Sequence, residues 1–206
     1  MQKNYGFHLG VILYILGMTF FQVTFSFMGL NVFLAWLPIV FGQLLIYVTG
    51  KWRWGIGLLW LLFFPNIPYL LTDLFHLTSL SIYRPKGLFT TAFPDWWSFL
   101  LLVLPILIMV LIGMSQVFLL LKAVTKDFKK QVISLMIIAI LSAMAIYIGR
   151  FERIHSIELL IHPVKILSLL VGNWSEAKIQ FVLMYSFLHV SIWGLIYFLQ
   201  KMSKEA

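Results

Sequence analysis

A run of about 20 mostly apolar residues is long enough to cross the hydrocarbon core of a bilayer. This chain is built from such runs laid end to end, over residues 5–28, 31–49, 54–76, 97–121, 131–149 and 177–199. Only short polar links separate them. Of its 206 residues, 62% are hydrophobic and 11% charged, against roughly 25% charged in an ordinary soluble domain. A soluble fold has nowhere to put that much apolar surface. The expected fold is an all-α integral membrane protein, a single membrane domain over residues 1–206, with six transmembrane helices. A shorter segment at about 157–171 repeats its apolar residues at helical spacing through Leu160, Ile161, Val164, Leu167 and Val171. His162, Pro163 and Lys165 interrupt it, so it reads as a short interfacial or re-entrant helix. Lys3 precedes the first run and no small-residue cleavage site follows, so that run is expected to be retained as a span.

The formal net charge of +8 does not point to nucleic acid. The cations sit in short clusters between apolar runs, the pattern that meets lipid headgroups. Lys51-Trp52-Arg53-Trp54 and Trp96-Trp97 add the aromatic residues favoured at that depth. The expected partner is the lipid bilayer. Six spans put both termini on one side, together with Lys3, Lys51, Arg53, Lys122, Lys126, Lys129, Lys130, Lys201 and Lys204. By the positive-inside rule that side is cytoplasmic. The chain has no cysteine, which excludes disulfides, thiolate metal sites and a cysteine nucleophile.

Against this background one stretch stands out, residues 65–77. Pro65 and Pro68 lack backbone N–H groups, leaving carbonyls around residues 61–64 without their usual donors and predicting a kink or break. Broken helices are tolerated in membranes where they line a cavity or are covered by protein. Asn66, Tyr69, Asp73 and His76 follow at spacings of three, four and three, one polar stripe on an otherwise apolar helix. A second polar concentration, residues 149–158, carries Arg150, Glu152, Arg153, His155 and Glu158. In the six-span topology both clusters reach the same, extracytoplasmic end of the bundle.

Three readings of this constellation follow. Arg150 and Arg153, three apart, could clamp a phosphate or carboxylate. Alternatively one of them neutralises Asp73 in a structural ion pair. The pairs Asp73/His76 and Glu152/His155 also have spacings that divalent metals use in helical bundles, but such spacings arise easily by chance, and no metal site is assigned. His8, His162 and His189 stand alone and read as packing or interface histidines, with no pairing that would hold a haem and no cofactor expected.

Residues 64–77 resemble the hallmark of the bacterial multi-pass membrane family known as domain of unknown function 1361. Residues 31–38 resemble its second-helix motif, and residues 149–153, with Ser156, residues 158–160 and Pro163, its late motif. His155 stands where the family pattern has asparagine, Glu158 where it has aspartate, and Ile154 and Ile157 where it has tryptophan. A ligand peculiar to this chain argues against metal binding through His155. The resemblance favours Asn66, Asp73, His76, Arg150, Arg153 and Glu158 as a working set, implies a bacterial cell membrane, and supplies no activity. The resulting expectation is a protein that handles an anionic lipid or lipid-linked substrate at an outward-facing polar site. Asp73 or His76 would act as base, and Asn66, Tyr69, Arg150, Arg153 and Glu158 would bind substrate. A transporter or ion relay, and a non-catalytic membrane partner with a structural ion-pair cluster, are the alternatives.

Overall fold

The computed structural model describes residues 5–21, 23–82, 89–153, 161–172 and 174–205. Helices α1 (Tyr5–Phe20), α2 (Met28–Tyr47) and α3 (Trp52–Phe63) come first. A short α4 (Asn66–Tyr69) runs into a 3₁₀ segment, Leu70–Ser79. Then come α5 (Phe93–Val124), α6 (Phe128–Phe151), α7 (Pro163–Val171) and α8 (Glu176–Glu205). Five helical runs are long and apolar enough to cross a membrane: Met28–Tyr47, Trp52–Ser79, Phe93–Val124, Phe128–Phe151 and Glu176–Ser203. Their outer faces carry Leu104, Leu107, Leu111, Ile137, Ile140, Leu183 and Phe187, all exposed. A soluble monomer rarely shows so continuous an apolar surface, whereas acyl chains cover it without penalty.

The first expected span is corrected. Helix α1 has 16 residues, which at 1.5 Å per residue gives about 24 Å, short of a hydrocarbon core of about 30 Å. It ends because the following residues find better partners outside a helix. The Thr24 hydroxyl meets Ser98 on α5 at 3.1 Å, and Phe25 is buried in the core. The turn between α1 and α2 therefore lies before Met28. Gly29 is inside α2, where a Cβ would lie 3.2 Å from the Cβ of Met18. Its small size lets α1 and α2 touch.

Several polar side chains inside the bundle are paired across helices, which a medium without water favours. His8 accepts from the Trp36 indole at Nδ1, 2.9 Å, and its Nε2 meets Gln43 Oε1 at 3.1 Å. The Tyr14 hydroxyl donates to the Leu101 carbonyl at 2.8 Å. His189 is fully buried, with Nδ1 on the Tyr185 carbonyl at 2.6 Å and Nε2 on Ser142 at 3.1 Å. The Trp193 indole donates to the Met114 carbonyl at 3.1 Å. Such interhelical bonds are each worth about 0.6 kcal/mol on average in a membrane. His8 and His189 are thus packing histidines.

Close approach elsewhere rests on glycine. A Cβ at Gly113 on α5 would run into the Ile67 side chain on α4, so this contact seats the proline-broken run against α5. Gly113→Leu is expected to destabilise the purified protein by about 1–3 kcal/mol through overpacking. Gly194→Leu, at a position where nothing lies within 4 Å of the added Cβ, is expected to stay within about 0.5 kcal/mol of the parent. Thermal unfolding of the two variants in detergent checks both.

Candidate functional site

The two prolines change the helix type, and that change builds the site. Pro65 ends α3, and the Ile67 amide turns to the Phe64 carbonyl at 3.0 Å. The Phe63 carbonyl, which loses its normal donor, instead accepts from the Asn66 side-chain amide at 2.9 Å. From Leu70 the chain tightens to 3₁₀ geometry for 10 residues, where runs beyond 3–4 residues are uncommon. Side chains close the gaps in this segment. Hydroxyls of Thr72, Thr78 and Ser79 donate to the carbonyls three residues back, at 2.7, 2.8 and 2.7 Å. Residues three apart eclipse in a 3₁₀ helix, so Asp73 and His76 stand in one row.

Members of the expected stripe meet different surroundings. Asp73 points into the bundle and is 1% exposed. Asn66, Tyr69 and His76 line a cavity beside it. Both carboxylate oxygens of Asp73 are occupied. Oδ2 accepts from the Asn31 amide of α2 at 2.7 Å, and Oδ1 accepts from Arg150 of α6 at 3.3 Å. Arg150 also donates to the Thr72 carbonyl at 3.1 Å, and its guanidinium lies 5.9 Å from the centre of the Tyr69 ring. Arg150 is 25% exposed, so one side of the guanidinium is bound and the other faces the cavity.

His76 is 37% exposed and packs its ring against Phe27, 4.5 Å between centroids. Its Nδ1 lies 3.1 Å from the Asp73 backbone carbonyl. A carbonyl only accepts, so Nδ1 carries a hydrogen, and in the neutral tautomer with that hydrogen Nε2 keeps the lone pair. That makes Nε2 a proton acceptor at the wall of the cavity.

Arg153 follows the last turn of α6 with φ of +56°. This left-handed position after a helix normally belongs to glycine or asparagine, and a residue with a Cβ held there costs of order 1 kcal/mol. Arg153 lines the cavity despite that cost. Ile166 and Leu170 of α7 line the same cavity. The C-terminal end of α7 is held by Lys178, whose Nζ donates to the Leu169 and Gly172 carbonyls at 2.6 and 3.0 Å. The ammonium also lies 4.8 Å from the centre of the Trp174 ring. The Ser175 hydroxyl accepts from the Lys178 amide at 3.2 Å and caps α8.

The cavity holds about 590 Å³. Asn31, Asn66, Tyr69, His76, Arg150 and Arg153 supply its polar groups, and Leu34, Leu62, Ile146, Ile148, Ile166 and Leu170 its apolar ones. Of the expected site residues, Asn66, Tyr69, His76, Arg150 and Arg153 line this one space, and Asp73 sits directly behind it. Glu158 and His155 lie outside the described residues. Among the described residues no three acid or histidine side chains group as a metal site. Asn31 was not among the expected site residues. Its signal was a lone amide near the start of an apolar run, but an amide there reads equally well as a helix-end residue.

The fold and this cavity define an all-α, multi-helix membrane protein with a charged, amphipathic chamber among its spans. The chain belongs to the family described as protein of unknown function (DUF1361), whose model matches residues 30–192 and so includes every residue of the chamber. No curated protein and no solved structure matches it.

Removing one partner from a buried ion pair leaves an uncompensated charge and costs about 3–5 kcal/mol, whereas replacing both is far milder. Arg150→Met is expected to fall at the lower end of that range because its guanidinium is partly exposed. Asp73→Leu combined with Arg150→Met is expected to recover at least half the loss. Additive losses in chemical unfolding would show that the two residues do not interact.

Proposed function

We propose that this protein binds an anionic lipid or lipid-linked substrate in the chamber, with the charged head at Arg150 and Arg153 and the apolar part along Ile146, Ile148, Ile166 and Leu170. The observation that carries this reading is the chamber's composition: two arginines and several hydrogen-bonding groups share one space with aliphatic side chains. Its volume of about 590 Å³ is in the range of small-molecule sites. A water-soluble substrate would have little use for the aliphatic wall, and an acyl chain alone would have none for the arginines.

Within this reading Asp73 positions Arg150, because both of its oxygens are engaged. His76 Nε2 is the group able to take a proton from a bound substrate. The distribution of Lys and Arg supports a bacterial cell membrane location with the C-terminus and the links carrying Lys51, Arg53 and Lys122 to Lys130 cytoplasmic, the chamber then facing the outer leaflet; both termini are cytoplasmic where α1 and the turn after it together complete a sixth crossing.

Arg153 separates a structural role from a binding role. Arg153→Gly relieves the backbone at φ of +56°, so thermal stability is expected to hold or rise slightly. Retention of anionic lipid by the purified protein, read by native mass spectrometry after detergent exchange, is expected to fall several-fold. Unchanged retention with intact folding would contradict the proposal.

A further inference from the structure

Charge counting in the chamber narrows the ligand. Asp73 and Arg150 neutralise each other at 3.3 Å. Among the described lining residues the other side chain that is always charged is Arg153. His76 is neutral when Nδ1 carries its single hydrogen. Glu152 does not line the chamber and acts electrostatically on Lys178 instead. The described chamber thus offers one uncompensated positive charge.

Resting on the amphiphile-binding reading above, we infer that the ligand's head is a monoanion, a phosphodiester or carboxylate, and not a phosphomonoester dianion. Attraction to a single fixed cation grows in proportion to the ligand's charge. The desolvation penalty grows with its square. In a chamber walled by aliphatic side chains the second negative charge therefore loses more hydration than it gains in attraction. The hydrogen-bonding groups fit the same head. Arg153 supplies the charge, Arg150 its free N–H side, and Asn31 and Asn66 line the same space. Phosphodiester and carboxylate heads share this chemistry, and the choice between them falls to the experiment.

The test uses the full chain in neutral phosphatidylcholine nanodiscs at pH 8, where ordinary imidazoles are uncharged and a phosphomonoester carries nearly two charges. Competition among phosphatidylglycerol, oleate and phosphatidic acid is read by native mass spectrometry. Phosphatidylglycerol or oleate is expected to be retained about tenfold over phosphatidic acid, the scale of one unit charge in a partly shielded site. Whichever of the two leads identifies the head. Asp73→Asn raises the chamber by one charge and is expected to shift the preference toward phosphatidic acid. Arg153→Gln lowers it by one and is expected to abolish the preference for anions even if Asp73→Asn does not fold. Preference of the parent for phosphatidic acid, or an unmoved preference in a folded Asp73→Asn, overturns the monoanion assignment while leaving amphiphile binding intact. Retention of none of the three above the phosphatidylcholine background overturns amphiphile binding itself.

Discussion

A carboxylate 1% exposed inside a membrane bundle is the constraint on which the rest of this structure depends. An ion there is stable only if charge and hydrogen bonds are returned to it. Three parts of the chain far apart in sequence do so: the 3₁₀ segment that carries Asp73, α2 through Asn31, and α6 through Arg150. Their convergence sets the positions of α2, the proline-broken run and α6 around one point. The chamber is the space left beside that point. A purely aliphatic core would pack as tightly without fixing which helix faces met, whereas Asp73 can be satisfied in few arrangements.

The break at Pro65 and Pro68 makes this possible. A regular α-helix would offset Asp73 and His76 around the axis, whereas the 3₁₀ segment aligns them in one row. Along that row Asp73 lies buried at the convergence of α2 and α6, and His76, one turn later, stands at the chamber wall. At the break the Phe63 carbonyl accepts from Asn66, and along the tightened run the hydroxyls of Thr72, Thr78 and Ser79 bond back to carbonyls three residues earlier. Helix α7 adds Ile166 and Leu170 to the lining and is clipped to α8 by the Lys178 ammonium on the carbonyls at its C-terminal end.

Much of this was legible in the residues. Apolar run length located the long helices, and the two prolines located the break. Parity of the spans brought Asp73 and Arg150 to one end of the bundle, where they do meet. What was not legible has identifiable physical causes. The first span was read as continuous because apolar composition does not distinguish a helix from a buried turn; Phe25 and Thr24 prefer tertiary partners there. The 3₁₀ geometry depends on back-bonding by hydroxyls whose helical role is ambiguous in sequence. Asn31 became part of the site only through Asp73, a partner 42 positions away. The left-handed backbone at Arg153 could not be read from an arginine, since glycine or asparagine is the usual marker.

The Asp73–Arg150 pair can be measured directly in a bilayer. The chain's aspartates are Asp73, Asp95 and Asp127, and its arginines Arg53, Arg84, Arg150 and Arg153, so selective labelling is tractable. Rotational-echo double-resonance NMR of protein carrying ¹⁵N-guanidinium arginine and ¹³Cγ aspartate reports whether any such pair is in hydrogen-bonding reach. Strong dephasing that disappears in both Asp73→Asn and Arg150→Gln is the expected result. Absence of dephasing in the parent, or its persistence in either variant, would mean that the helices do not converge on Asp73 and that the chamber has no charged floor.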